Sequence, residues 1–108
     1  MPKIKGSCVF RNDGDGCLSS KYVNDNTSPF VESCKLIIGS RSPNSADNFE
    51  GRYDTVWLET SGGQVNHQRT ELTITARTDG TYQLAWASPQ YFGIGMLYDG
   101  LLVGAYWN

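Results

Sequence analysis

Arg69-Thr-Glu-Leu-Thr-Ile-Thr-Ala-Arg77, Thr78-Asp-Gly80, Thr81-Tyr-Gln-Leu-Ala-Trp-Ala87, Ser88-Pro-Gln90, Tyr91-Phe-Gly-Ile-Gly-Met-Leu-Tyr98, Asp99-Gly100 and Leu101-Leu-Val-Gly-Ala-Tyr-Trp-Asn108 form one continuous stretch that decides the fold class. Leu72, Ile74 and Ala76 alternate with Glu71, Thr73, Thr75 and Arg77. A period of two is the mark of a strand with one face buried. Asp79-Gly80 and Asp99-Gly100 sit between such runs. A type I′ hairpin turn needs positive φ at two successive residues, which Asp tolerates and Gly adopts freely. Four strands joined by tight turns predict an antiparallel meander.

Working outward, the first 68 residues extend the same pattern. Gly6-Ser-Cys-Val-Phe10 and Cys17-Leu-Ser-Ser-Lys-Tyr-Val23 flank the turn cluster Arg11-Asn-Asp-Gly-Asp-Gly16. Asn24 to Pro29 carries loop chemistry, and Phe30 to Ile38 ends in β-branched residues and reads as a strand. Gly39 to Asn48 is a polar loop, long for a compact domain. Phe49 to Leu58 is a further strand, with Tyr53, Thr55 and Trp57 on one face and Arg52, Asp54, Val56 and Leu58 on the other. Thr60 to Gln68 reads as a second polar loop holding His67, the single histidine. The expected fold is all-β: one domain over residues 1–108, with about seven or eight antiparallel strands curled or closed into a small barrel.

Composition agrees and excludes several functions. At 108 residues the chain has the length of one domain, and its mean hydropathy of -0.41 is ordinary. Twelve Gly, six Tyr, four Phe and three Trp favour short strands and tight turns over helices. A net charge of -2 speaks against nucleic acid, which demands a basic face. No apolar run reaches the roughly 20 residues of a membrane-spanning helix. Met1 to Gly6 lacks the roughly 7–15-residue apolar segment of a signal peptide. With an odd set of cysteines, Cys8, Cys17 and Cys34, the expectation is reduced thiols and a cytoplasmic location.

One internal similarity bears on closure. Gly6–Asn24 lays on Gly93–Asn108, matching Gly6 with Gly93, Asp15-Gly16 with Asp99-Gly100, Leu18 with Leu102, Tyr22 with Tyr106 and Asn24 with Asn108. Shared hairpin composition accounts for this, and so does one hairpin type used at both ends of a sheet whose edges meet. A closed sheet has no exposed edge to invite aggregation.

Tyr82-Gln-Leu-Ala-Trp86, Tyr91-Phe-Gly-Ile-Gly-Met96 and Asp99-Gly-Leu-Leu-Val-Gly-Ala-Tyr106 resemble the closing strands of small lipocalin-like and avidin-like (calycin-type) barrels. Phe49-Glu-Gly-Arg-Tyr53 is similar to their Gly-x-Trp/Tyr opening, though here it lies mid-chain. The resemblance covers about sixty residues and points to a small bacterial family of this shape. It implies an up-and-down barrel whose mouth or interior takes a small molecule. The ligand-contacting set of biotin binders has no counterpart here, so no such residue is carried over.

The chemistry-bearing residues form no catalytic constellation. Cys8, Cys17 and Cys34 lack the Cys-x2–4-Cys half-site of a structural zinc centre, and act by default as small buried hydrophobes. Asn12 to Gly16 resembles a calcium loop, but Cys17 stands where the next oxygen ligand belongs and, with Asp13 as position one, Asn24 stands where the bidentate Glu belongs. His67 has no Gly-x-Ser-x-Gly partner. Glu50, Asp54 and Glu59 share a strand region, yet Asp54 and Glu59 fall on opposite faces. Gly93-Ile-Gly95 opens no helix, so the dinucleotide reading fails. No metal or cofactor is expected.

The aromatics are more informative. Tyr53 with Trp57, and Tyr82 with Trp86, share strand faces. Phe92, Ile94, Met96 and Tyr98 share another, leaving Gly93 and Gly95 bare opposite them. Rings of this kind serve as core, or line a ligand mouth, and Trp107 suits a subunit interface. The expected function is a non-enzymatic binding module that takes a small molecule or a partner through an aromatic-lined barrel face. Its candidate ligand-binding residues are Tyr53, Trp57, Tyr82, Trp86, Tyr91 and Tyr106. The alternative is a homodimeric interaction or immunity-type protein with no small-molecule ligand.

Overall fold

The computed structural model describes residues 3–37, 39, 49–61, 63–88 and 90–108. Most of the loop expected at Gly39–Asn48, and Pro89 of the Ser88–Gln90 turn, lie outside the described residues. Eight strands follow one another: β1 (Lys5–Gly14), β2 (Cys17–Asn24), β3 (Thr27–Leu36), β4 (Gly51–Ser61), β5 (Gln64–Ala76), β6 (Thr81–Trp86), β7 (Tyr91–Tyr98) and β8 (Leu101–Trp107). Each pairs antiparallel with the next, and β1 pairs with β8 to close the barrel. The meander expected from the sequence therefore ends on itself. The two hairpins that resemble each other are neighbours across the closing seam.

Alternation sets the interior. Phe10, Tyr53, Thr55, Leu72, Leu84 and Leu102 are fully buried, each from the inward parity of its strand. Tyr53, Thr55 and Trp57 face inward as expected, while Asp54 and Arg69 pair outside at 2.9 Å. Leu72 and Ile74 face inward and Ala76 is exposed. An eight-stranded barrel is just wide enough for side chains to fill, or to hold one small ligand.

The turns differ in kind. Asp15 and Asp99 both have φ of 55°, and Gly16 and Gly100 follow at 77° and 80°, the type I′ pattern. At the β5–β6 turn only Gly80 has positive φ, at 87°. Asp79 instead accepts hydrogen bonds from the Thr81 amide (2.9 Å) and hydroxyl (2.6 Å), and the Gly80 amide reaches the Arg77 carbonyl at 3.2 Å. The side chain of Asp79 thus serves the turn in place of a left-handed backbone.

Two segments read as loops are strand. Thr27 to Pro29 opens β3, and Thr60 to Gln68 is the far end of the β4–β5 hairpin, paired to Ser61↔Gln64. Beyond the Glu32↔Trp57 and Leu72↔Trp86 pairs, no second neighbour is described for β4 or β5. On the β5 side of this ribbon Gln64, Val65 and His67 are exposed and Asn66 and Gln68 half-buried, so no apolar alternation marks it. Its polar side chains also suit strands with free edges.

No described helix is long and apolar enough to cross a membrane.

Candidate functional site

The β1–β2, β5–β6 and β7–β8 turns lie at one end of the barrel, where the buried Phe49, Tyr53 and Tyr82 pack together. Tyr53 and Tyr82 belong to this end. Tyr53 donates its hydroxyl to the Phe49 carbonyl at 2.8 Å, and Tyr82 meets Phe49 edge-on at 6.4 Å. The opposite end contains a cavity of about 250 Å³. Trp57, Trp86, Tyr91 and Tyr106 line it, joined by Tyr22 and Glu32. Four of the six candidate residues are therefore brought together, and Tyr53 and Tyr82 stand apart from them.

Tyr106 is the hub. Its ring centroid lies 5.8 Å from Trp86, 5.9 Å from Tyr91 and 6.4 Å from Tyr22, the last two edge-on. Such edge-to-face pairs are favourable beyond the area they bury. Its cross-strand neighbours are Gly6 on β1 and Gly93 on β7, so the ring is crowded by no side chain from either flank. Asn24 Nδ2 donates to its hydroxyl at 3.0 Å. Tyr22 donates its hydroxyl to the Leu58 carbonyl, tying the root of the projecting hairpin to the barrel.

The floor of the cavity carries a carboxyl that sequence reading passed over. Glu32 is 4% exposed. Its Oε2 accepts from the Thr55 hydroxyl at 2.5 Å and from Trp86 Nε1 at 3.0 Å. Thr55 spends its one proton on Glu32, so at the 3.3 Å contact with Cys34 the thiol is the donor. Burial raises the Glu32 carboxyl above its ordinary value, against the lowering effect of Thr55 and Trp86. No hydrogen-bond partner of Oε1 is found among the described residues. A parity argument would have found this residue: Phe30, Glu32, Cys34 and Leu36 share the inward face of β3, and a lone carboxylate on an apolar face is out of place unless it serves a purpose.

A second carboxylate, Glu59, stands at the rim. It accepts from Gln68 Nε2 at 3.0 Å and Trp57 Nε1 at 3.3 Å. Asn24 and the exposed Asn26 complete the polar edge, and Ile4 and Cys8 the apolar one. Among the described residues, no Lys, Arg or His lines the cavity. The ion pairs Arg11–Asp13, Arg52–Glu71 and Arg69–Asp54 are all on the outer surface. Burial raises the hydroxyls of Tyr22 and Tyr91 above their usual range and pushes Tyr106 up to about 12, with the nearby acids adding to the effect. The rings therefore stay neutral.

The other sequence candidates resolve simply. Cys8 and Cys34 are buried, Cys17 is half-buried, and all three are free. Asp13 pairs with Arg11 at 2.8 Å and Asp15 forms the hairpin turn. Among the described residues no group of three His, Cys, Asp or Glu is placed to hold a metal. His67 is exposed on the projecting hairpin opposite Leu58. Phe92, Ile94, Met96 and Tyr98 form an exposed outer band on β7, beside Val103 and Trp107 on β8.

No family model, curated protein or solved structure matches this chain.

Proposed function

We propose that residues 1–108 form a single-domain, non-enzymatic binding module that takes a small molecule at the aromatic end of a lipocalin-like or avidin-like barrel. The observation that carries this reading is the aromatic-lined cavity, set apart from the buried cluster of Tyr53, Tyr82 and Phe49. One end is packed by Tyr53, Tyr82 and Phe49, whereas the other leaves about 250 Å³ between Trp57, Trp86, Tyr91 and Tyr106. That volume is at the small end of ligand sites, which run from roughly 300 Å³ upward. Mostly apolar walls with a few placed polar groups are the usual lining of such sites. Three free cysteines suit a reducing compartment, in keeping with a cytoplasmic protein.

The test is a fragment screen by NMR with the indole and tyrosine resonances assigned. Hits should move the Trp57 and Trp86 signals, and Trp57→Ala should abolish them without changing oligomeric state. If no fragment moves these signals, or Trp57→Ala binds as well as wild type, the reading fails.

A second reading rests on the outer band. Phe92 faces Trp107, and Met96 faces Val103, across the β7–β8 ladder, all at least 37% exposed. A contiguous apolar patch of this kind is how homodimers associate. Sedimentation of wild type beside Met96→Lys distinguishes the two: a dimer that the substitution dissociates supports association, and a monomer in both removes it.

A further inference from the structure

A site built from five aromatic rings and two carboxylates, with no basic group among the described residues, selects by charge as well as by shape. Tyr22, Trp57, Trp86, Tyr91 and Tyr106 supply the rings, and Glu32 and Glu59 the acids. Ring faces carry negative quadrupole potential and attract cations, more strongly where water is excluded. The one deeply buried carboxyl of the cavity is held from behind through Oε2 by Thr55 and Trp86, which leaves Oε1 as the atom available to a guest. A buried carboxyl costs several kcal/mol of lost hydration when ionised, unless a counter-charge meets it. Asn24 and Asn26 add acceptors at the rim.

We infer that the cavity takes a small organic cation, a primary or methylated ammonium, with Glu32 as its counter-ion and the rings of Trp57, Trp86 and Tyr106 as its cage. This deepens the small-molecule reading above and rests on it. Among the described residues, every titratable group that faces Glu32 is an acid: Cys8 on β1, Tyr22 on β2, Cys34 on its own strand, Glu59 on β4, Tyr91 on β7 and Tyr106 on β8. None of them supplies a positive charge, so the guest must. Burial raises the Glu32 carboxyl above its ordinary value, so it keeps its proton to higher pH than a free carboxyl does. A cation that binds the ionised form displaces that proton to solvent. Binding therefore tightens as pH rises, until the carboxyl is ionised without help.

Choline and phenethylamine, each paired with its neutral isostere (3,3-dimethylbutanol and 2-phenylethanol), are the probes. Calorimetry of each pair at a series of pH values from 4.5 upward, in two buffers of different ionisation enthalpy, reads affinity and proton release together. The cations should bind at least about tenfold more tightly than their isosteres and release a proton. Glu32→Gln keeps the side-chain size and can still accept from Thr55 and Trp86. It should erase that preference and the proton release. Equal or tighter binding of the alcohols overturns the cation assignment and leaves the small-molecule reading standing. Failure of all four probes to bind also overturns it, and the fragment screen then decides separately whether the cavity binds anything. Cation binding that survives Glu32→Gln at full strength overturns the role of Glu32.

Discussion

Gly6 on β1 lies against the ring of Tyr106 on β8, so closely that a Cβ at position 6 would stand 2.5 Å from Tyr106 Cζ and 2.4 Å from the Val23 carbonyl oxygen. The seam that closes the barrel and the ring at the centre of the cavity are thus one packing problem. On the other flank, a Cβ at Gly93 would fall 2.6 Å from the Ala105 carbonyl oxygen. The backbone on either side of Tyr106 has no room for even a methyl group.

Gly6→Ala should therefore destabilise the barrel by about 1–3 kcal/mol, the usual cost of overpacking. One of the clashing atoms is backbone, so a rotamer change alone cannot relieve it. A urea titration measures the loss. An unchanged midpoint would mean that β1 and β8 are farther apart than the register implies.

Glu32 sets a pH dependence of stability. In the folded barrel its carboxyl lies above the ordinary 4.5, raised by burial against the hydrogen bonds of Thr55 and Trp86. The folded chain then holds the proton more tightly than the unfolded chain. The contribution is fully present below 4.5 and is lost as pH rises through the folded value. Asp13, Asp54 and Asp79 act oppositely: hydrogen bonds from Arg11, Arg69 and Thr81 hold them below 3.8, so their contribution is lost as pH falls beneath that value. The two windows do not overlap. From 4.5 upward, Glu32→Gln should become progressively more stable than wild type, measured by denaturant titration at a series of pH values. A constant difference across that range would show that the carboxyl titrates normally.

Thr55→Val keeps the shape and removes the hydroxyl that bridges Cys34 and Glu32. Leaving buried polar atoms without their partner should cost about 1–3 kcal/mol, while Thr55→Ser should retain most of the stability. Thermal or chemical denaturation of both variants compares them. Equal losses in the two would shift the explanation from the hydroxyl to the methyl.

Thiol chemistry should divide the cysteines. Burial pushes Cys8 up to about 12 and raises Cys34 as well, with the charge of Glu32 adding to both. The thiolate is the reactive form, so neither should react in the folded protein at neutral pH. Labelling followed by mass spectrometry should find one modified site, Cys17, in the native state and three after unfolding. Rapid native labelling of Cys8 would mean that reagent and solvent reach its thiol through the cavity it lines, so that burial does not suppress the thiolate.

Strand parity made much of this architecture legible. The alternation through Tyr53, Thr55 and Trp57 placed the inward face of β4 correctly, and Asp99-Gly100 placed a type I′ turn. Asp79-Gly80 looked the same in sequence and turned differently, because an Asp side chain can bind the turn amide instead of adopting positive φ. The ribbon from Thr60 to Gln68 was hidden because backbone pairing needs no apolar side chain. The site was half visible for a related reason. Parity tells which residues point inward, and so gathers Tyr53, Trp57, Tyr82 and Trp86 alike. Height along the barrel axis depends on register between strands, which parity does not carry, and it is height that separates the packed Tyr53 and Tyr82 from the cavity. Glu32 was overlooked because charge was sought in motifs rather than on an apolar face.

Closure by a single seam also orders the assembly of the molecule in time. Seven ladders join strands consecutive in the chain, and only the pairing of Lys5–Phe10 with Leu102–Trp107 brings distant segments together. The entropy of closing a loop must be met before such a contact returns anything, and it grows with the length enclosed. The hairpins can form early and locally, and the seam forms last. Substitutions at Gly6 should then speed unfolding while leaving the refolding rate nearly unchanged. Tyr106 finds its place between β1 and β7 only in that final step, so the binding cavity is completed at the moment the barrel shuts.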